Sequence, residues 1–163
     1  MSESMEQPPE PTEEPARRPS KRRLNRIAAM QFLYLYESNR GEVLNDLLLS
    51  FFDSQEKDRD THAFAEELIH GTIENLEEID EKIRSLASNW KFERIARVDL
   101  AILRLACHEL LHRPDIPPVV TINEAVDLGK EYSNEDSRRF LNGLLDRISS
   151  ELKRPLREPG GLE

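Results

Sequence analysis

Apolar residues recur along this chain at intervals of three and four, the spacing of one face of a helix. Leu24, Ile27, Ala28, Phe32, Leu33 and Leu35 form the first such stripe, with Ser20 placed to cap it and Gly41 to stop it. A short apolar segment over 43–52 and a charged loop over 53–60 follow. A long amphipathic helix then carries Phe64, Leu68, Ile69, Leu76, Ile79, Ile83 and Leu86. Gly71 lies inside it at a cost of about 1 kcal/mol relative to alanine, which points to a kink or a close helix contact. From Arg97 to His112 the pattern is apolar around most of the circumference, as in a helix buried at the centre of a domain. Pro114 ends that helix. Thr121 with Glu124 reads as a capping box for the next. Ser133 or Asn134 caps the last, whose stripe is Leu141, Leu144, Leu145, Ile148 and Leu152. No strand-period alternation of useful length occurs. The pattern predicts an all-α domain of six or seven helices.

The ends of the chain differ in kind. Residues 1–19 hold five prolines and almost nothing apolar, so they predict a disordered, acidic, proline-rich tail. Residues 155–163 predict a flexible C-terminal tail, which leaves a folded domain over 20–154. The 163 residues are 37% hydrophobic and 34% charged, a mix suited to a helix-rich domain with a heavily charged surface. There is no apolar run of the roughly 20 residues needed to cross a bilayer, and no signal peptide is legible. Cys107, the single cysteine, reads as a buried core residue in a reducing cytoplasm. The net charge of −9 argues against nucleic acid until its distribution is considered. Glu3, Glu6, Glu10, Glu13 and Glu14 load the leader, while Arg17, Arg18, Lys21, Arg22, Arg23 and Arg26 follow almost without acid between them. Screening limits electrostatic reach to about 10 Å at 0.1 M salt, so a local basic patch can bind phosphate whatever the total charge.

His108-Glu109-Leu110-Leu111-His112 matches the zinc-protease pattern HExxH, in which two imidazoles on one helix face hold the metal and the glutamate acts on its water. Asn123-Glu124 echoes the element that supplies a third ligand in thermolysin-type enzymes. The context opposes this reading. Glu124 follows His112 by only twelve positions, across the rigid loop Arg113-Pro114-Asp115-Ile116-Pro117-Pro118. Arg97, Arg104, His108 and His112 fall on one strip, and the two arginines would repel a dication. Glu124 is already assigned to a helix cap. The expectation is a polar strip on a central helix, with no metal, no cofactor and no catalytic residue. His62 and His70 read as structural, and no phosphate loop, GxSxG or CxxC motif occurs.

Basic residues near aromatics suit single-stranded RNA, which offers phosphates to cations and splayed bases to rings. Arg22, Arg23 and Arg26 open the first helix, and Tyr34 and Tyr36 lie further along it. Arg26 and Tyr34, eight residues apart, fall within about 80° of each other on the helix. Arg138, Arg139 and Phe140 form a second basic-aromatic group. The plain alternative is a solvated arginine face, with Tyr34 and Phe140 belonging to the core.

Three further groupings carry a resemblance. They are Leu103-Arg104-Leu105-Ala106 with Glu109-Leu110, Ile122-Asn123-Glu124-Ala125 with Lys130, and Arg139-Phe140-Leu141-Asn142-Gly143 with Leu144-Leu145-Asp146. With Trp90, Arg94-Ile95 and Asp115-Ile116-Pro117, their order and spacing resemble the NusB family of transcription antitermination factors, over Arg22 to about Ile148. The resemblance implies two small helical bundles sharing a central helix. It implies binding to boxA, a short single-stranded element of rRNA leader transcripts, together with the small-subunit ribosomal protein NusE and RNA polymerase. By position it implies RNA contacts at Arg22, Arg23, Arg26, Tyr34, Arg139 and Phe140, and a NusE-side contact at Asp99. Leu24-Asn25 interrupt the arginine motif, Pro118 follows Pro117 unusually, and the acidic leader is extra. The alternatives within this fold are a homodimer through the central helices and a ribosome-assembly module. NusB-like domains also occur fused in front of rRNA cytosine methyltransferases, but no βαβ unit follows here.

Overall fold

The computed structural model describes residues 19–55, 60–87, 91–152 and 155–159. The leader over 1–18, Trp90 and the last four residues lie outside them, and so does most of what is expected of the two tails. Seven helices appear among the described residues: α1 (Lys21–Glu37), α2 (Leu44–Ser54), α3 (Ala63–Glu74), α4 (Leu76–Leu86), α5 (Arg97–His112), α6 (Pro118–Tyr132) and α7 (Glu135–Leu152). There is no strand among them, and none of these helices is long and apolar enough to cross a membrane.

Helix α5 organises the molecule. Every residue from Asp99 to Leu110 is buried, polar ones included. On one side it packs with α1 and α3, and α2 closes over α1; on the other it packs with α4, α6 and α7. These are the two small bundles with a shared central helix. The predicted polar strip is divided: Arg97 and His112 at its ends are exposed, while Arg104 and His108 between them are buried under α4 and α3. Arg104 makes a two-pronged ion pair with Asp80 of α4, at 2.8 and 2.9 Å. The His108 ring lies against Gly71 of α3, and His112 Nε2 is 3.1 Å from Glu78 of α4.

Several helix boundaries obey the sequence and others do not. The Ser20 hydroxyl accepts from Arg23 N at 3.1 Å, and Asn134 Oδ1 accepts from Ser137 N at 2.8 Å, so both N-termini are capped as expected. Helix α1 ends at Glu37, four residues before Gly41. The long helix predicted over 64–86 is two, divided at Asn75, which serves as the C-cap of α3 and the N-cap of α4. Gly71 is not the break. A Cβ there would overlap the His108 imidazole, so the glycine permits close approach of α3 and α5. The capping box of Thr121 and Glu124 is also overturned. Helix α6 starts four residues earlier, with Pro117 as its N-cap and Pro118 in its first turn, because proline presets the helical φ and needs no hydrogen-bond acceptor there. Beyond α7, the Leu156 carbonyl accepts from Val119 N at 2.8 Å, tying this end of the chain to the start of α6.

Replacing Gly71 with alanine should destabilise the protein by about 1–3 kcal/mol, although alanine favours helix by about 1 kcal/mol, because the enclosed imidazole has no room to retreat. Chemical denaturation of Gly71→Ala and of Gly71→Ala/His108→Ala checks this; stability equal to the parent in the single variant would show that the contact is loose.

Candidate nucleic-acid interface

The arginines that open α1 go to three different places. Arg26 is expected from sequence to neutralise phosphate, but it is 3% exposed. Its Nε and Nη2 donate to the carboxylate of Glu109 on α5, the shortest contact being 2.7 Å. Thr121 of α6 donates to the same carboxylate at 3.1 Å. The glutamate of the HExxH pattern is therefore the anionic centre of a core network. Arg26 is unavailable to a ligand for the same reason.

Arg23 turns towards α6. Its guanidinium stands 3.3 Å from Glu124, 3.4 Å from Asp127 and 3.3 Å from Glu131. Partial burial lowers its pKa, but the Glu124, Glu131 and Asp127 carboxylates outweigh that and raise it above the ordinary arginine value. Arg22 turns the other way, with its guanidinium 4.5 Å from the centre of the Phe64 ring. It forms no ion pair among the described residues. Lys21, Arg22 and Arg113 line a cleft there of about 340 Å³ with Phe64. Arg113 is itself occupied by Asp115 and Glu67.

The other predicted residues collect at the N-terminal end of α5. Tyr34 is 40% exposed, and Arg97 stacks on it with its guanidinium 4.6 Å from the ring centre. Arg97 also donates to the Tyr34 carbonyl at 3.0 Å and to the Ser38 hydroxyl, which fixes the stack. Close by in sequence, Arg94, Ile95, Ala96 and Asp99 form one wall of an open groove of about 560 Å³. Arg139 and Phe140 of α7 form the other, with Asn134, Asp136 and Ser137. Arg139 is exposed and Phe140 half-buried.

The family resemblance implies a partner-facing position for Asp99, but the residue is 7% exposed. Its Oδ2 accepts from Ser137 Oγ at 2.8 Å, while Oδ1 has no hydrogen-bond partner among the described residues. In this structure it ties the start of α7 to α5 at the edge of the groove. Sequence reasoning misses Arg94 and Arg97 as members of this surface. The helical period assigns Arg97 to the polar strip, and only the antiparallel course of α1 and α5 brings it beside Tyr34.

Residues 23–150 match the family model described as NusB family. The chain belongs to the NusB family. A relative from Geobacter sulfurreducens, named transcription antitermination protein NusB, is 45% identical over 131 residues, which cover 80% of this chain and 95% of that one. A solved structure of T. maritima NusB superposes with a TM-score of 0.72 at 40% identity, covering 80% of this chain and 91% of that one. A crystal structure of the antitermination factors NusB and NusE in complex with double-stranded RNA superposes with a TM-score of 0.71 at 28% identity, covering 80% and 97%. In this NusB-family chain His108, Glu109 and Leu110 of the HExxH letters lie in the core, and His112 is exposed. His108 is enclosed, and its Nδ1 has no hydrogen-bond partner among the described residues.

Arg26→Ala leaves Glu109 buried without its counter-charge and should cost about 3–5 kcal/mol, whereas the apolar pair Arg26→Met/Glu109→Leu should recover most of that. Urea titration distinguishes the two, and a mild single variant would place Arg26 at the surface. His108 makes stability depend on pH. Burial, then the neighbouring His112 and Arg113, push its imidazole down to about 4. The folded pKa thus lies below the unfolded value of about 6.5, and between the two the unfolded chain binds the extra proton. Stability contributed by this site is intact above pH 6.5 and should fall by about 1.4 kcal/mol per unit as pH drops towards 4. Thermal unfolding of the parent and His108→Gln over that window should show a shallower slope in the variant; parallel slopes would assign the acid sensitivity elsewhere.

Proposed function

We propose that this chain is an RNA-binding antitermination adaptor without catalytic activity. It binds boxA-like single-stranded RNA in rRNA leader transcripts and acts with ribosomal protein NusE in an RNA polymerase antitermination complex. The observation that carries the reading is the groove at the start of α5, which is lined by an aromatic ring, Phe140, together with two exposed arginines, Arg94 and Arg139. The stacked Tyr34 and Arg97 lie at the same end of α5. Such a surface offers stacking platforms for bases and cations for phosphates in one place. Family membership supports the same reading, since relatives carry the antitermination name and one was solved with NusE and RNA.

The roles divide by chemistry. Arg139, Arg94 and Arg22 neutralise phosphates. Phe140 and Tyr34 stack on bases, and Arg97 presents the Tyr34 ring in a fixed orientation. Arg26 and Asp99 act from within, by fixing α1 and α7 against α5. Arg23 can contribute only when its three carboxylate partners release it.

Anisotropy with a labelled boxA-like RNA and a scrambled control, with and without NusE across a salt series, tests this directly. Selective binding strengthened by NusE is expected. Arg139→Ala should reduce the salt slope for single-stranded RNA by about 0.7 for each phosphate that Arg139 neutralises. Phe140→Leu, which keeps apolar bulk, should weaken binding by about 1–3 kcal/mol with the salt slope intact. Equal, weak binding to both RNAs in every condition would leave the fold with another task.

A further inference from the structure

The acidic row on α6 contradicts the purpose of the arginine beside it. Glu124, Asp127 and Glu131 are spaced i, i+3 and i+7, so they share one face of the helix, and all three point at Arg23. Three carboxylates around one guanidinium leave an excess of two negative charges at the place where the sequence predicts a phosphate contact. None of the contacts is shorter than 3.3 Å, whereas charge-assisted N–H···O bonds usually run at about 2.7–2.9 Å. The cation is shared rather than tightly bound to any one partner. Asp127 and Glu131 are more than half exposed, so the arrangement is open to a competitor.

Position adds to this. Taking 100° per residue, Arg23 and Tyr34 lie within about 20° of each other around α1 and about 16 Å apart along it. At Arg23 that face of α1 meets α6. A strand whose base stacks on Tyr34 and whose next phosphates run along this face to Arg23 meets the acidic row there.

We propose that Glu124, Asp127 and Glu131 form a specificity filter for RNA, by sequestering Arg23 from any RNA not already anchored at the groove. This inference rests on the RNA-binding reading above. A backbone-only ligand meets net negative charge at α6 and gains no contact from Arg23. An RNA held by base stacking at the groove presents its next phosphates at high effective concentration, which allows them to displace carboxylates that a free competitor cannot. Selectivity then comes from a built-in repulsion as well as from attraction, a general route to discrimination between partners.

The test compares a boxA-like RNA with a scrambled RNA of the same length on three proteins: the parent, Asp127→Asn/Glu131→Gln, and Arg23→Ala. The isosteric double variant spares the half-buried Glu124. It should bind scrambled RNA roughly threefold to tenfold more tightly, with a steeper salt slope and a reduced ratio between the two RNAs, as expected for removing two exposed charges near a phosphate. Arg23→Ala should weaken the boxA-like RNA by a larger factor than the scrambled one, for which only the added repulsion counts. Equal gains for both RNAs in the double variant, no gain for either, or weaker binding of both with a lowered melting temperature would each overturn the filter. Failure of the underlying reading is seen separately, as parent protein that does not distinguish the two RNAs at all.

Discussion

The buried contact between Arg26 and Glu109 fixes how the first helix can lie. Taking two charges out of water is costly, and the pair is tolerable only because the two-pronged geometry is good and Thr121 supplies a further donor. Once Arg26 must point inward, the rotation of α1 is no longer free. Arg22, four residues earlier, lies about 40° to one side of the inward direction, and Arg23, three residues earlier, about 60° to the other. One therefore faces Phe64 and α3, and the other faces α6. The distribution of surface cations is thus a consequence of a buried one. Because Glu109 belongs to α5 and Thr121 to α6, the same contact sets the register of three helices.

The architecture was largely legible because helical period and apolar circumference are local properties. A helix with few polar positions between Leu100 and Leu111 has to be central, and it is. What could not be read were features decided by a partner distant in sequence. Asn75 divides α3 from α4, although no proline or sustained loss of period marks the place. The Thr121 and Glu124 spacing fits a cap, yet both side chains are taken by distant groups, Glu109 and Arg23.

The candidate site shows the same division. Arg139, Phe140 and Tyr34 lie on a surface with aromatic and cationic character, as their residue types suggested. Arginines at the start of α1 are alike in sequence, and only the structure separates the buried one, the shared one and the one without an ion pair among the described residues. The HExxH letters illustrate the converse. Spacing of i and i+4 does place both histidine rings together, with centres 5.8 Å apart, but burial rather than spacing decides what such a pair can do.

Asn25, which interrupts the arginine motif, has a structural reason that reaches beyond its own helix. Its Nδ2 donates to the Lys21 carbonyl of α1 at 2.8 Å and to the Thr61 carbonyl at 3.3 Å, while its Oδ1 accepts from the Ala65 amide in the first turn of α3 at 3.0 Å. Helix α3 begins at His62 and Ala63 with no side-chain cap of its own. Its N-terminus is completed by a residue of another helix, so α3 gains a satisfied first turn only when α1 has docked. Exchange of the Ala65 amide with solvent deuterium accordingly reports the opening of the interface between α1 and α3, rather than fraying of α3 alone.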